Sequence, residues 1–187
     1  MTLYRDKYRV ETTRLPAWDY SENGWYFVTI CTQGHRSSLG SVDHGVFRPS
    51  PVGETAKLHS EAIPSHYDDI SLDGSVLMPN HLHGIVILGE RHRYSPGESQ
   101  PRGRAAGVGI FRSPRAGSLG AIIRSYKAGV TKWCRENGYG DFLWQPRFYD
   151  HLIRGAKSLE AIREYIWQNP LNWREDEYFP RRSVGPS

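Results

Sequence analysis

The chain has 187 residues, 38% of them apolar, with a net charge of +4 and a pI of about 9.1. That length suits one well-buried core and is short for two, while two distant cysteines, Cys31 and Cys134, argue against a disulfide scaffold or a cysteine-built zinc knuckle. No run reaches the roughly 18 apolar residues of a membrane span, so no membrane partner and a reducing, cytoplasmic setting are expected.

In chain order, residues 1–23 read as a polar arm, with aromatic anchors within Arg14–Tyr20. A single domain follows over 24–173. Gly24–Thr32 is dense in β-branched and aromatic residues, the composition of a central strand. Gly45–Arg48 suggests a short hairpin or edge piece. Ser50-Pro51 then supplies a cap and a first-turn proline for a helix to about Ile63, with Val52, Ala56, Leu58, Ala62 and Ile63 as an imperfect inner stripe. Asp69–Leu77 reads as a strand, and Met78-Pro79-Asn80 as a turn into the apolar strand that carries His81 and His83 and ends at Gly89.

Residues 89–117 hold six arginines against Glu90 and Glu98, so this Gly- and Pro-rich loop alone matches the net charge of the chain. Its basic character favours an anionic partner. Ser118 caps the clearest helix, with Leu119, Ile122, Ile123, Tyr126, Val130, Trp133 and Cys134 at helical spacing. Arg124, Lys127 and Lys132 lie off that stripe. Phe142–Gln145 and Arg147–Ile153 read as strand segments interrupted at Pro146. A last helix starts at Ser158, with Leu159, Ile162, Tyr165, Ile166 and Asn169 on one face, and ends at Asn169-Pro170. Residues 174–187 form a polar tail. Strand, helix, strand, strand, helix, strand plus a C-terminal helix predicts an α+β, ferredoxin-like sandwich: an antiparallel sheet with helices on one face.

Side chains two apart on a strand share a face, so His81 and His83 converge. Two neutral imidazoles suit a divalent metal, and two rings that merely find hydrogen-bond partners give the same spacing. Tyr165 and Asn169, one helical turn apart, present a phenol and an amide together, and packing accounts for both as readily.

Three segments read together carry more. Met78-Pro79-Asn80-His81-Leu82-His83, Trp144-Gln145-Pro146-Arg147-Phe148-Tyr149-Asp150-His151 and Tyr165-Ile166-Trp167-Gln168-Asn169-Pro170 resemble, in that order, the single-tyrosine HUH transposases, and among them the REP-associated tyrosine transposases. The resemblance spans about Trp18 to Trp173. It implies a ferredoxin-like fold in which His81 and His83 hold Mg²⁺ or Mn²⁺, Asn169 completes the metal shell or orients the phosphate, and Tyr165 is the nucleophile. It also implies cleavage and rejoining of single-stranded DNA beside a hairpin, through a covalent 5′-phosphotyrosine.

For that substrate Arg124, Lys127, Arg147 and Arg154 are candidates for phosphate contact, Trp144 and Tyr149 for base stacking, and His151 for support of the site. The arginines of the 89–117 loop are a further candidate DNA arm. The resemblance leaves monomer and homodimer both open. Two alternatives compete: a domesticated hairpin-binding protein that no longer cuts, and a histidine-triad-like nucleotide hydrolase, disfavoured because Ile85 stands where a third histidine would fall.

Overall fold

The structure, a computed structural model, describes residues 3–4, 8–9, 23–89 and 117–180. The anchors Arg14–Tyr20, nearly all of the basic loop and residues 181–187 lie outside the described residues. β1 (Leu3–Tyr4) and β2 (Tyr8–Arg9) pair as a short antiparallel ribbon.

The central sheet contains β3 (Gly24–Cys31), β6 (Ile70–Leu77), β7 (His81–Leu88) and β8 (Tyr149–Leu152). Its order is β6-β7-β3-β8 with every neighbour antiparallel. The second, third, first and fourth of these strands thus lie side by side. Between the first two runs α1 (Pro51–Glu61), and between the last two α2 (Leu119–Glu136), which makes the fold ferredoxin-like as the order of elements predicts. β4 (Gly40–Asp43) and β5 (Val46–Pro49) form a separate hairpin. His44 and Gly45 at its tip both have positive φ, as a twisted two-residue turn requires.

Local chemistry explains both sheet-covering helices. Ser50 Oγ accepts from Gly53 N at 3.1 Å ahead of Pro51, and Ser118 Oγ accepts from Ala121 N at 3.4 Å. Each cap satisfies one of the amides that a helix start leaves unpaired. α1 and α2 pack closely where α2 has no side chain: a Cβ on Gly129 would lie 2.9 Å from the His59 ring.

Alternation along β3 and β7 divides the interior in two. Tyr26, Val28, Ile30, Leu82, Val86 and Leu88 face α1 and α2, where they meet Val52, Ala56, Leu119, Ile122, Ile123, Tyr126 and Val130. Ile85, with Trp25, Phe27, Val76 and Ile87, faces the opposite side and is covered by Leu159, Ile162 and Ile166 of α3 (Ala156–Gln168). Arg163 ties α3 to the sheet through a two-pronged contact with Asp73, Nε to Oδ1 at 2.8 Å and Nη2 to Oδ2 at 2.6 Å. Asp73 sits where the register shifts between Leu72 and Ser75.

Some expectations need correction. Leu58, assigned to the inner stripe of α1, is 64% exposed, because the turn instead buries the small residues Gly53, Thr55 and Ala56. Phe142–Gln145 forms no strand and makes only a single bridge, Thr32 to Trp144. Pro146 lacks an amide donor, and Arg147 has φ 66°, so the chain turns there before β8 begins. α3 starts at Ala156, two residues earlier than the sequence suggests. Among the described residues no helix is long and apolar enough to cross a membrane.

Candidate active site

His81 and His83 project from β7 toward the α3 side of the sheet, opposite Cys31 and Thr29 of β3. Both are buried, at 0% and 2% exposure, with ring centroids 4.4 Å apart. Burial, with His83 and His35 adding to it, pulls His81 down from its ordinary 6.5 to about 2. Burial pulls His83 down to about 3. Both rings are therefore neutral at physiological pH and carry a lone pair each.

Hydrogen bonds decide where the His81 lone pair points. The Asn80 amide nitrogen donates to the carbonyls of His35 (3.0 Å) and Tyr178 (2.7 Å), which leaves Asn80 Oδ1 as an acceptor 2.8 Å from His81 Nδ1. Nδ1 must hold the proton, so Nε2 is the basic nitrogen. That atom is buried with no hydrogen-bond partner. A buried lone pair without a donor is costly for a protein of ordinary stability and natural for a metal site.

His83 Nδ1 lies 2.9 Å from Thr29 Oγ1, and its Nε2 lies 3.1 Å from the Tyr165 hydroxyl. Tyr165 is 43% exposed, its ring edge-on to Phe27 and 5.2 Å from His83. Burial and the carboxylates of Asp176 and Glu177 push its phenol up to about 12, while a hydrogen bond from Asn169 opposes them. Asn169 is buried, with Nδ2 3.3 Å from Asp176 Oδ2 and Oδ1 unpartnered. The structure thus brings His81, His83, Tyr165 and Asn169 to one place.

Asp176 and Tyr178 belong to the segment read from sequence as a polar tail. The buried Trp173 precedes them and packs 6.0 Å from His81. The Tyr178 ring lies 4.7 Å from His81 and 5.3 Å from His35. Metal-ligating atoms of His81, His83 and Asp176 all lie within 4.8 Å of one another. Burial raises the Asp176 carboxyl above its ordinary value, against hydrogen bonds from Tyr178 N and Asn169. Nothing local in the sequence marks Asp176, whereas Asn80 could have been found as the residue flanking His81.

The donor set fits Mg²⁺ or Mn²⁺: two neutral imidazoles, a carboxylate oxygen and an amide sit around an orphaned lone pair. Ile85, at the place of a third histidine, is buried under α3 and offers nothing to a triad.

Arg124, Lys127, Lys132, Arg135 and Arg147 line an open groove between α2 and residues 143–147. Lys127 is spent partly on the protein: its ammonium donates to the carbonyls of Gln145 (2.8 Å) and Arg147, and burial lowers it to about 8. Trp144 is half-buried against Phe142 and Tyr126, at 4.9 and 5.7 Å between ring centroids, so it presents only part of its ring. Tyr149 is exposed on the site face, edge-on to Phe27. His151 is exposed on that face opposite Phe27, and Arg154 lies at the far end of β8 from Arg147.

No family model matches the chain. It is 32% identical over 166 residues to an uncharacterized protein of Haemophilus influenzae, covering 89% of this chain and 91% of that one. It is 26% identical over 153 residues to a second protein of that organism, named "Putative REP-associated tyrosine transposase", covering 82% and 73%. The named relative is similar to this chain over most of both lengths, in line with the resemblance of the three segments. A solved REP-associated tyrosine transposase bound to a REP hairpin shares the fold with a TM-score of 0.57 at 20% identity, over 86% of this chain and 74% of that one. In this chain the three sequence segments that carry the resemblance all reach the α3 side of the sheet or the groove beside it.

Proposed function

We propose that this chain is a metal-assisted transesterase that cleaves and rejoins single-stranded DNA beside a hairpin, with Tyr165 as nucleophile. The observation that carries the reading is the Tyr165 hydroxyl 3.1 Å from His83 Nε2, next to the partnerless Nε2 of His81. His81, His83 and a nearby oxygen donor would hold Mg²⁺ or Mn²⁺. When bound, the ion supplies Lewis-acid stabilisation of the charge on the scissile phosphate.

The protein's own groups do the rest. In the tautomer with the proton on Nδ1, toward Thr29 Oγ1, His83 Nε2 would offer its lone pair to the phenol or to a metal but not to both. With an ion held by His83, the Tyr165 hydroxyl would be free of that contact. Tyr165 Oη forms a bond to phosphorus, the bond from phosphorus to the 3′-oxygen breaks, and the phenol proton is balanced by the proton that the 3′-hydroxyl gains. One phosphodiester replaces another, so the strand can be rejoined by the reverse step without ATP. A phenol held at about 12 is a weak nucleophile at neutral pH, which is why the reaction needs a cation. Asn169 donates toward the phenol and favours its anion.

The single strand would run past exposed Tyr149, with the hairpin stem against the basic groove of Arg124, Lys127 and Arg147. Arginine and aromatic side chains suit backbone and base contact respectively. The hairpin bound by the solved relative supports this choice of substrate.

The test is incubation of the protein with labelled single-stranded hairpins from the DNA flanking its own gene, with Mn²⁺. A covalent protein–DNA band is expected for wild type and none for Tyr165→Phe, with folding and hairpin binding retained. An adduct that survives Tyr165→Phe, or that maps to another tyrosine, overturns the assignment. Tight binding without any cleavage would favour a domesticated binding protein.

A further inference from the structure

The resemblance assigns the oxygen ligand to Asn169, on the nucleophile helix. We propose instead that Asp176, from the segment beyond α3, is the third metal ligand, and that Asn169 is the amide that positions it. The inference rests on the metal reading of the proposed function and specifies its ligand set.

Four observations support it. First, ligand atoms of His81, His83 and Asp176 already lie within 4.8 Å of one another. An octahedral ion with bonds of about 2.1 Å spaces its ligands roughly 3 to 4.2 Å apart, so little closure is needed. Second, the His81 Nε2 lone pair is buried and has no partner, and Asn80 leaves Nε2 as the basic nitrogen. Third, Asn169 turns its nitrogen toward Asp176, with Nδ2 3.3 Å from Oδ2. An amide nitrogen donates hydrogen bonds and does not ligate, so that end of Asn169 serves the carboxylate. Fourth, Asp176 is already fixed before any ion arrives: Tyr178 N donates to its Oδ1 at 2.7 Å, and the buried Trp173 anchors the turn three residues earlier. Oδ2 keeps lone-pair capacity beyond the Asn169 contact.

Charge points the same way. Two neutral imidazoles and an amide bring no negative charge to a divalent ion held beside two buried rings. One carboxylate offsets half of the ion's charge and supplies the hard oxygen that Mg²⁺ and Mn²⁺ prefer.

The experiment is Mn²⁺ titration of the full chain without DNA, read by the loss of the free-ion paramagnetic signal. Wild type, Asp176→Asn, Asp176→Glu and Asn169→Ala are compared, and native dichroism is recorded for each. Asp176→Asn should weaken Mn²⁺ binding about ten-fold or more, since even outer-sphere changes cost this much. Asp176→Glu, which keeps the carboxylate, should stay within a few-fold of wild type, and Asn169→Ala should fall between them. Wild-type affinity in Asp176→Asn overturns the ligand assignment and leaves the transesterase reading standing, as does equal loss in Asp176→Asn and Asp176→Glu. Failure of wild type to bind Mn²⁺ at all overturns the metal reading and this inference with it.

Discussion

The two faces of the sheet are built from the same two strands and do opposite work. The face toward α1 and α2 is closed by aliphatic and aromatic side chains. The face toward α3 has a small apolar patch around Ile85, Ile153 and Ile166, and beside it two buried imidazoles, a buried amide and a half-exposed phenol. The larger apolar cluster lies on the first face, and the groups proposed to carry the chemistry lie on the second. Alternation in β3 and β7 allows the separation, since each strand contributes to both without either face constraining the other's residue types.

The comparison breaks most visibly if the apolar face is damaged. Ile122, 1% exposed, packs on the α1/α2 side, and Ile122→Ala should cost about 2 to 5 kcal/mol in denaturant unfolding. The protein that remains folded should still bind Mn²⁺ and form the DNA adduct. Tyr165→Phe should do the converse, ending adduct formation at a cost of about 1 kcal/mol or less. If Ile122→Ala abolishes chemistry in protein that is shown to be folded, the two faces are coupled and the division of labour is wrong.

Acid probes the polar face alone. His81 and His83 have folded-state values of about 2 and 3 against 6.5 when exposed. Their folded values are depressed, so the unfolded chain binds protons first as pH falls. Their contribution to stability is full above pH 6.5 and drains below it, by up to about 1.4 kcal/mol per pH unit for each ring. Unfolding midpoints measured from pH 7 to pH 4 should fall steeply in wild type and more gently in His81→Gln, His83→Gln. Equal slopes would mean that the rings are not buried neutral.

The smallest effect is expected at the groove. Arg124→Gln and Arg147→Gln should each reduce the slope of log K against log salt for hairpin binding by under about 1, the share of one phosphate contact. Neither change should alter Mn²⁺ affinity or the unfolding midpoint appreciably. Unchanged slopes would remove the groove from the DNA path.

Local rules made much of this protein legible. The Ser118 cap and the 3.6-residue stripe from Leu119 to Cys134 specify α2, because a helix repeats its surroundings every turn. The two-residue spacing of His81 and His83 specifies a shared face for the same kind of reason. Leu58 misled because a stripe of small residues buries as effectively as a large side chain, and Phe142–Gln145 misled because strand-like composition yields to Pro146 and the left-handed Arg147.

The sequence by itself determined the order of strands and helices, the α+β class, the imidazole pair and the phenol one turn before Asn169, since each is a matter of neighbours along the chain. Only the tertiary structure decided that α3 crosses the histidine face, that Tyr165 reaches His83, that Asn80 aims the His81 lone pair, and that Asp176 and Tyr178 return to the site. Those contacts join residues remote in sequence, and they depend on where Ile166 and Trp173 are buried. No local period encodes that placement; it follows from covering the second face of the sheet.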